Sequence, residues 1–290
     1  MFIPRKILEE KLGQMLAEDL GQGDVTTALI VPSESTAEAE VIAKQSGIAA
    51  GIEETKILLE SLGLKAETMV KDGEEIEMRQ KMIKISGNTQ TILSVERTML
   101  NLLSRMSGIA TTTRWLTEKL KKAHLETKIA GTRKTAPGLL YFDKKALLIG
   151  GGDTHRFHLD DMILIKDNHI AVAGSIEKAL EQVKENASFS KKIEVEVSRV
   201  ADILKAAEAG ADIVMLDNFS PIQIEEAIKL LEKTGFFGKI LLEASGGITI
   251  ENVLEFASKG VDIVSLGEIT HSARALDISL EITKISKESR

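Results

Sequence analysis

Several residues of this chain could together grip a strongly anionic molecule. Arg133 and Lys134 follow one apolar run, and Lys166 ends another, MILIK. His155 and Arg156 sit between them in the glycine-led stretch GGGDTHR, 150–156. The planar fork of arginine matches carboxylate and phosphate oxygens. Arg133, Lys134, His155, Arg156 and Lys166 therefore suit an anion carrying several charges. Two acids, Glu196 and Asp217, end two more apolar runs. A polyanion repels bare carboxylates unless Mg²⁺ or sugar hydroxyls stand between them. The turns at Ser245-Gly246-Gly247 and Gly267 offer backbone N–H groups of the kind that cradle phosphate. The set points to a phosphorylated sugar and a second anionic substrate.

These residues share a position in the sequence pattern. Six apolar runs, 127–132, 162–167, 192–197, 212–217, 239–245 and 262–268, each end in polar or glycine residues. Helical patterns fit between most of them, over 175–186, 199–209, 221–233 and 250–259. Ser220 before Pro221, and Thr249 with Asn252 three residues on, are helix-start signals. Runs this continuous suit parallel strands buried on both faces. Six βα units in succession suit a barrel or a doubly wound sheet. In a parallel barrel the strand C-termini converge on one face, which carries the active site. No Gly-x-Gly-x-x-Gly opens a helix after a strand, which disfavours a Rossmann dinucleotide site, and no Walker loop is present.

The first part of the chain reads differently. A helix is expected over 5–20, a loop at EDLGQGDVTT (18–27), a strand over 37–48 and a helix over 51–63. Strands 66–70 and 82–86 flank the turn KDGEE, and a helix follows over 89–107. Its apolar stripe is Ile92, Val95, Met99, Leu103 and Met106, and at 100° per residue Arg97 lies roughly opposite. Hydrophobic residues make up 43% of the 290 positions, enough for a full core. The net charge of −7 argues against a general nucleic-acid binder, while leaving room for a local cationic pocket. The absence of cysteine excludes disulfides and thiolate metal sites. No apolar run is long enough for a membrane span, and MFIPRKILEEKLGQ is not a signal peptide. A cytoplasmic protein without membrane or nucleic-acid partners is expected.

Three other readings compete. His155 and His158, with Asp160, Asp161 and His169 nearby, could bind a transition metal, but their spacing matches no strong zinc pattern. Glu194 and Glu196 share one face of a strand by period 2, a pairing that suggests glycosidase carboxylates. The surrounding cations favour a polyanionic substrate instead. MVKDGEEIEMRQKMIKISG looks like a lipoyl hairpin but has no lysine at its turn, so it reads as scaffold.

The stretches EDLGQGDVTT, SVERTMLNLLSRMSGIAT, GTRKTAPGL, GGGDTHRFHLDDMILIKDNH, IEVEV, MLDN, LEASGGI and LGEITHS resemble the quinolinate phosphoribosyltransferase family, in family order over nearly the whole chain. The resemblance implies an α/β protein of two parts. An N-terminal α/β sandwich domain, 1–110, takes in the C-terminal tail 271–290. An open, incomplete TIM-like parallel α/β barrel spans 111–270. It further implies a homodimer or higher homo-oligomer in which Arg97 completes the neighbouring site. The implied reaction transfers phosphoribosyl from phosphoribosyl pyrophosphate to quinolinate with decarboxylation, in de novo NAD synthesis, using Mg²⁺ and no organic cofactor.

By the same resemblance Arg133, His155, Arg156 and the partner's Arg97 hold quinolinate. Lys134 and Lys166 lie near the sugar pyrophosphate, and Glu196 and Asp217 at the ribose hydroxyls and, indirectly, Mg²⁺. These last four are the implied catalytic residues. Ser245, Gly246, Gly247 and Gly267 match the phosphate-binding turns. The sequence departs from the family pattern at Ala136 (usually threonine), Leu140 (often arginine), Lys145 (often tyrosine) and Thr154 (commonly asparagine). Ala136 adjoins the cations and bears most on affinity; the other three read as surface changes or changes one layer behind the site. An enzyme acting on nicotinate, and an anion-binding relative of the molybdenum-associated protein, are the alternatives.

Overall fold

A computed structural model describes residues 3–286. The chain opens with helix α1 (Arg5–Leu20), which buries Leu8, Leu12 and Leu16 at helical spacing. The expected loop over 18–27 shrinks to a few residues. Asp24 caps a second short helix, α2 (Val25–Ile30), by accepting the Thr27 N–H at 3.0 Å. A side-chain oxygen at the N-cap satisfies a donor that the helix cannot, and this draws the two threonines into helix. Strand β1 (Thr36–Ala43) buries Ala37, Ala39, Val41 and Ala43 in strict alternation. Next come β2 (Gly47–Ile48), α3 (Ile52–Ser61), β3 (Lys65–Thr68), β4 (Glu75–Ile76) and β5 (Lys81–Asn88). The expected strand over 37–48 is thus broken at 44–46.

Helix α4 (Thr89–Lys122) runs 34 residues, well beyond the expected end near 107. Gly108 lies inside it rather than ending it. A Cβ there would meet the Arg274 carbonyl oxygen at 1.9 Å, so the glycine serves close packing. The stripe Ile92, Val95, Met99, Leu103 and Met106 is buried, and Arg97 is exposed.

Six strands follow: β6 (Lys128–Gly131), β7 (Ile163–Ile165), β8 (Ile193–Val197), β9 (Ile213–Asp217), β10 (Leu241–Ser245) and β11 (Ile263–Leu266). They are the six apolar runs of the sequence. Between them lie α5 (Leu140–Ile149), α6 (Asp167–Ala173), α7 (Ile176–Asn186), α8 (Val200–Glu208), α9 (Pro221–Thr234) and α10 (Val253–Ala257). A short helix, α11 (Glu268–His271), follows β11. Helices α5, α6 and α11 are additions to the sequence reading. The strand order is β6-β11-β10-β9-β8-β7, and every pairing is parallel. The first strand thus pairs with the last, and the barrel stays open between β6 and β7. At that edge Asp153 makes an isolated parallel bridge to Ala130 of β6.

The last strand, β12 (Ile278–Ser286), pairs with β1. It completes an antiparallel sheet of order β12-β1-β5-β3. Two compact units result. One runs to Thr112 and resumes at Ala273; the other spans Thr113–Ser272 and contains the whole parallel sheet. Among the described residues no helix is long and apolar enough to cross a membrane.

Candidate active site

Every parallel strand in the second unit delivers its last residues to the same end of the sheet. The register fixes which side chains share a face. Ser245 of β10 is level with Asp217 of β9, and Glu196 of β8 is level with Met215. Lys166, Glu196, Asp217 and Ser245 are the last inward-facing residues of their strands and form a rim; by period 2 Leu164, Glu194, Met215 and Glu243 precede them on the same face of each strand. Across the sheet Glu196 is level with Met215 and Glu243, one step below Asp217 and Ser245. A cavity of about 340 Å³ opens there. Its lining brings together Arg133, Lys134, His155, Arg156, Lys166, Glu196, Asp217, Ser245 and Gly246. A larger hollow of about 820 Å³, which His155 and Arg156 also border, lies around the strand starts Lys128, Ile213, Leu241 and Ile263. The smaller cavity holds the convergent charged groups and the strand C-termini, so it is the candidate active site.

The cations are held differently from one another. Lys166 donates to Glu196. Its backbone opens α6, where the His169 Nδ1 accepts the Lys166 N–H at 2.9 Å. Among the described residues the side chains of Arg133, Lys134 and Arg156 have neither a hydrogen bond nor an ion pair. Burial lowers the pKa of Arg156, and the neighbouring Arg133 lowers it further. Glu194 and Asp161 act on Arg156 only through their charge, without direct contact, so the three cations around this cavity form a site that an anion would neutralise.

The segment carrying Arg156 is tightly built. Asp153 donates its backbone N–H to the Ile129 carbonyl at 2.7 Å, and its carboxylate accepts the His155 N–H at 2.8 Å. Lys144, fully buried in α5, donates to the Thr154 carbonyl. Burial pushes its pKa down to about 8, assisted by Arg133 and Arg156 and opposed by Asp153. Lys145 is also buried, at 6% exposure, so the departure from tyrosine there is not a surface change. His155 has φ +52°. Its Nε2 lies 3.2 Å from a carboxylate oxygen of Glu194 and 3.2 Å from one of Glu243. Burial works against charge on this ring, but the two carboxylates outweigh it and raise its pKa. Burial likewise raises the pKa of Glu194.

On the far side of the cavity Ser245 accepts a hydrogen bond from Ser265 at 2.9 Å. Gly246 and Gly247 have φ of +86° and +63°, which glycine adopts freely. A Cβ on Gly246 would meet the Asn218 Oδ1 at 2.4 Å. Asn218 in turn donates to Asp217 at 2.8 Å. Gly247 and Gly267 are not among the lining residues, though a Cβ on Gly267 would touch the Lys134 side chain at 3.0 Å. Arg97 lies in the other unit. His158, Asp160 and Asp161 cluster in an exposed position, while His155 groups with Glu194 and Glu243 instead. The sequence reading missed Lys144, Asp153, Glu243 and Ser265. Period 2 counted back from Ser245 is the signal that could have found Glu243, because it places a carboxylate beneath the rim inside an apolar run.

Residues 24–107 match the family described as quinolinate phosphoribosyl transferase, N-terminal domain, and residues 109–281 match its C-terminal domain. The chain belongs to the quinolinate phosphoribosyltransferase family. It is 44% identical over 269 residues to the probable nicotinate-nucleotide pyrophosphorylase [carboxylating] of Methanothermobacter thermautotrophicus, covering 93% of this chain and 96% of that one. The protein of the same name from Methanocaldococcus jannaschii is 46% identical over 277 residues, covering 94% and 96%. The crystal structure of NadC from Streptococcus pyogenes superposes with a TM-score of 0.88 at 36% identity, covering 99% of each chain.

Proposed function

We propose that this member of the family transfers phosphoribosyl from phosphoribosyl pyrophosphate to quinolinate, releasing pyrophosphate and CO₂ and yielding nicotinate mononucleotide for NAD synthesis. The carrying observation is the group Arg133, Lys134 and Arg156, three cations whose side chains, among the described residues, make no direct ion pair, around one cavity at the strand C-termini. A dicarboxylate and a pyrophosphate together bring enough negative charge to neutralise them.

In this reading Arg133 and Arg156 hold the quinolinate carboxylates beside the ring of His155. Lys134 and Lys166 face the pyrophosphate, Glu196 and Asp217 the ribose hydroxyls, and the Ser245-Gly246-Gly247 and Gly267 turns the 5′-phosphate. The pyridine nitrogen forms a bond to C1 of the sugar as the C1–oxygen bond breaks, and pyrophosphate leaves with the electron pair. The ring nitrogen is then cationic and can accept the electrons of the carbon–carboxylate bond as CO₂ departs; a proton replaces it on the ring. The nitrogen carries no proton to remove, so the protein's work is orientation and charge stabilisation.

Glu196 and Asp217 suit Mg²⁺, which takes one or two carboxylates together with substrate phosphate oxygens. They are hard oxygen donors at a partly open rim, and the pairing of Glu196 with Lys166 uses one of its oxygens. The ion, when bound, would draw charge from the leaving pyrophosphate. Arg97, exposed on α4 opposite its buried stripe, is assigned to the site of a second copy in a homo-oligomer.

The test is a product assay with phosphoribosyl pyrophosphate, Mg²⁺ and either quinolinate or nicotinate. Mononucleotide and CO₂ should form in equal amounts from quinolinate. Turnover of nicotinate alone would overturn the reading, as would silence with both. Arg97→Ala should abolish turnover without unfolding the chain, and mixing with inactive Lys134→Ala chains should restore part of it. No rescue after verified subunit exchange would count against a shared site.

A further inference from the structure

Two groups beneath the rim have no part in that chemistry. Glu194 of β8 and Glu243 of β10 are both 0% exposed. Glu243 borders the cavity, yet both of its oxygens are sealed, as are those of Glu194. No backbone or side-chain donor among the described residues forms an aligned hydrogen bond with either carboxylate. Their shared neighbour is the imidazole of His155, whose Nε2 sits 3.2 Å from each. Buried carboxylates are costly unless a partner compensates them. Here one ring serves two.

The other nitrogen of that ring is also engaged. Nδ1 accepts the backbone N–H of Arg156 at 2.8 Å. That contact occupies Nδ1 and leaves Nε2 facing the two carboxylates, which favour a proton there. Both ring nitrogens thus face protein groups, Nδ1 the Arg156 backbone and Nε2 the two carboxylates. Its backbone is left-handed, a conformation uncommon outside glycine that surrounding contacts must hold. It is also the residue immediately before Arg156, so the angle of this corner sets the direction in which the guanidinium leaves the chain. The Lys144 ammonium holds the other side of the corner through the Thr154 carbonyl.

We infer that Glu194 and Glu243 are positioning residues that clamp the imidazole of His155 from inside the barrel, hold its left-handed corner and so aim Arg156 into the anion cavity. The inference rests on reading Arg156 as a substrate-binding group. It assigns the carboxylates no contact with substrate and makes His155, which lines the cavity, the link between them and Arg156.

Steady-state kinetics on the full chain test it, with thermal melting run beside them. Arg156→Ala first shows which substrate's KM depends on Arg156. The Glu194→Ala/Glu243→Ala pair should raise that same KM by about tenfold or more and leave the other within about twofold. The corresponding glutamine pair keeps an acceptor for the Nε2 proton and should recover most of the loss. In a His155→Ala background the alanine pair should lose most of its effect, because the route through the ring is gone and only the direct charge interaction of Glu194 with Arg156 is left. Equal loss on both substrates, or a full additional loss without His155, would make the carboxylates merely structural and overturn the proposal. If the alanine pair does not fold, each single alanine variant replaces it in the same cycle, with about a threefold rise in the same KM and a clearly smaller one in the His155→Ala background. If Arg156→Ala instead raises KM for phosphoribosyl pyrophosphate, the substrate assignment is reversed, and the same cycle still decides the positioning role.

Discussion

Two rows of side chains on the same strands behave in opposite ways. The rim row, Lys166, Glu196, Asp217 and Ser245, is partly open to solvent. The row one step back along each strand, Leu164, Glu194, Met215 and Glu243, is buried. Charges occur in both. On the rim they lie beside unpaired cations and can be reoriented or screened by water, so a ligand can use them. Below the rim they are sealed, and each must be satisfied by the fold itself. The comparison teaches that a charge in this barrel is not by itself a sign of substrate contact: depth separates groups that bind from groups that hold other groups in place.

The sharpest break between the rows should come from the open cations. Lys134→Ala or Arg133→Ala should cost about 10²–10³-fold in kcat/KM, the scale seen when a preorganised charge-stabilising group is lost. Thermal unfolding should be unchanged or slightly raised, since neither side chain has a protein partner to lose and removing one relieves repulsion. A clear fall in melting temperature would show that these cations are structural after all.

A buried cation should show the reverse. Lys144 has a pKa depressed to about 8 by burial. Between that pH and the ordinary lysine value of about 10.4, the unfolded chain binds a proton that the folded chain does not. Native stability should therefore rise with pH across this window, by about 1.4 kcal/mol per pH unit relative to Lys144→Met. Below pH 8 the cost of burying the charge is fully present and the difference flattens. Denaturant unfolding of both proteins from pH 7.5 to 10 measures it; parallel curves would place Lys144 effectively in solvent.

The mildest effect is expected at the rim ion pair. Lys166 and Glu196 are 44% and 13% exposed, and pairs this open contribute about 0–1 kcal/mol. Glu196→Ala should barely move stability, yet should raise KM for Mg²⁺–phosphoribosyl pyrophosphate by about tenfold, roughly one lost polar contact, and change KM for quinolinate little. A larger effect on quinolinate would reverse the two subsites.

Part of this arrangement was legible in the residue order. The six apolar runs read as parallel strands, and their polar ends pointed to one face. Period 2 put Glu194 and Glu196 on the same side of β8, and helical periodicity turned Arg97 away from its own core. Other features resisted local reading. The sequence reading ended α4 at 107, whereas the helix runs on through Gly108, which packs closely against the backbone at Arg274. The acids and threonines at 18–27 read as loop because the Asp24 cap competes with the same composition in turns.

The amino-acid order alone thus determined strand type, the polar strand ends and the charges available, because backbone periodicity and side-chain hydropathy act over a few residues. Only the tertiary structure decided that Glu194 and Glu243 share His155 rather than lining a two-carboxylate site with Glu196. Those three residues are separated by 39 and 49 positions along the chain. They meet because parallel pairing through β9 sets Glu243 one inward-facing step above Glu194, and because Asp153 of the 150–156 segment bridges to β6 at the open edge. Burial depth and long-range register are properties of the assembled sheet, and no local spacing encodes them.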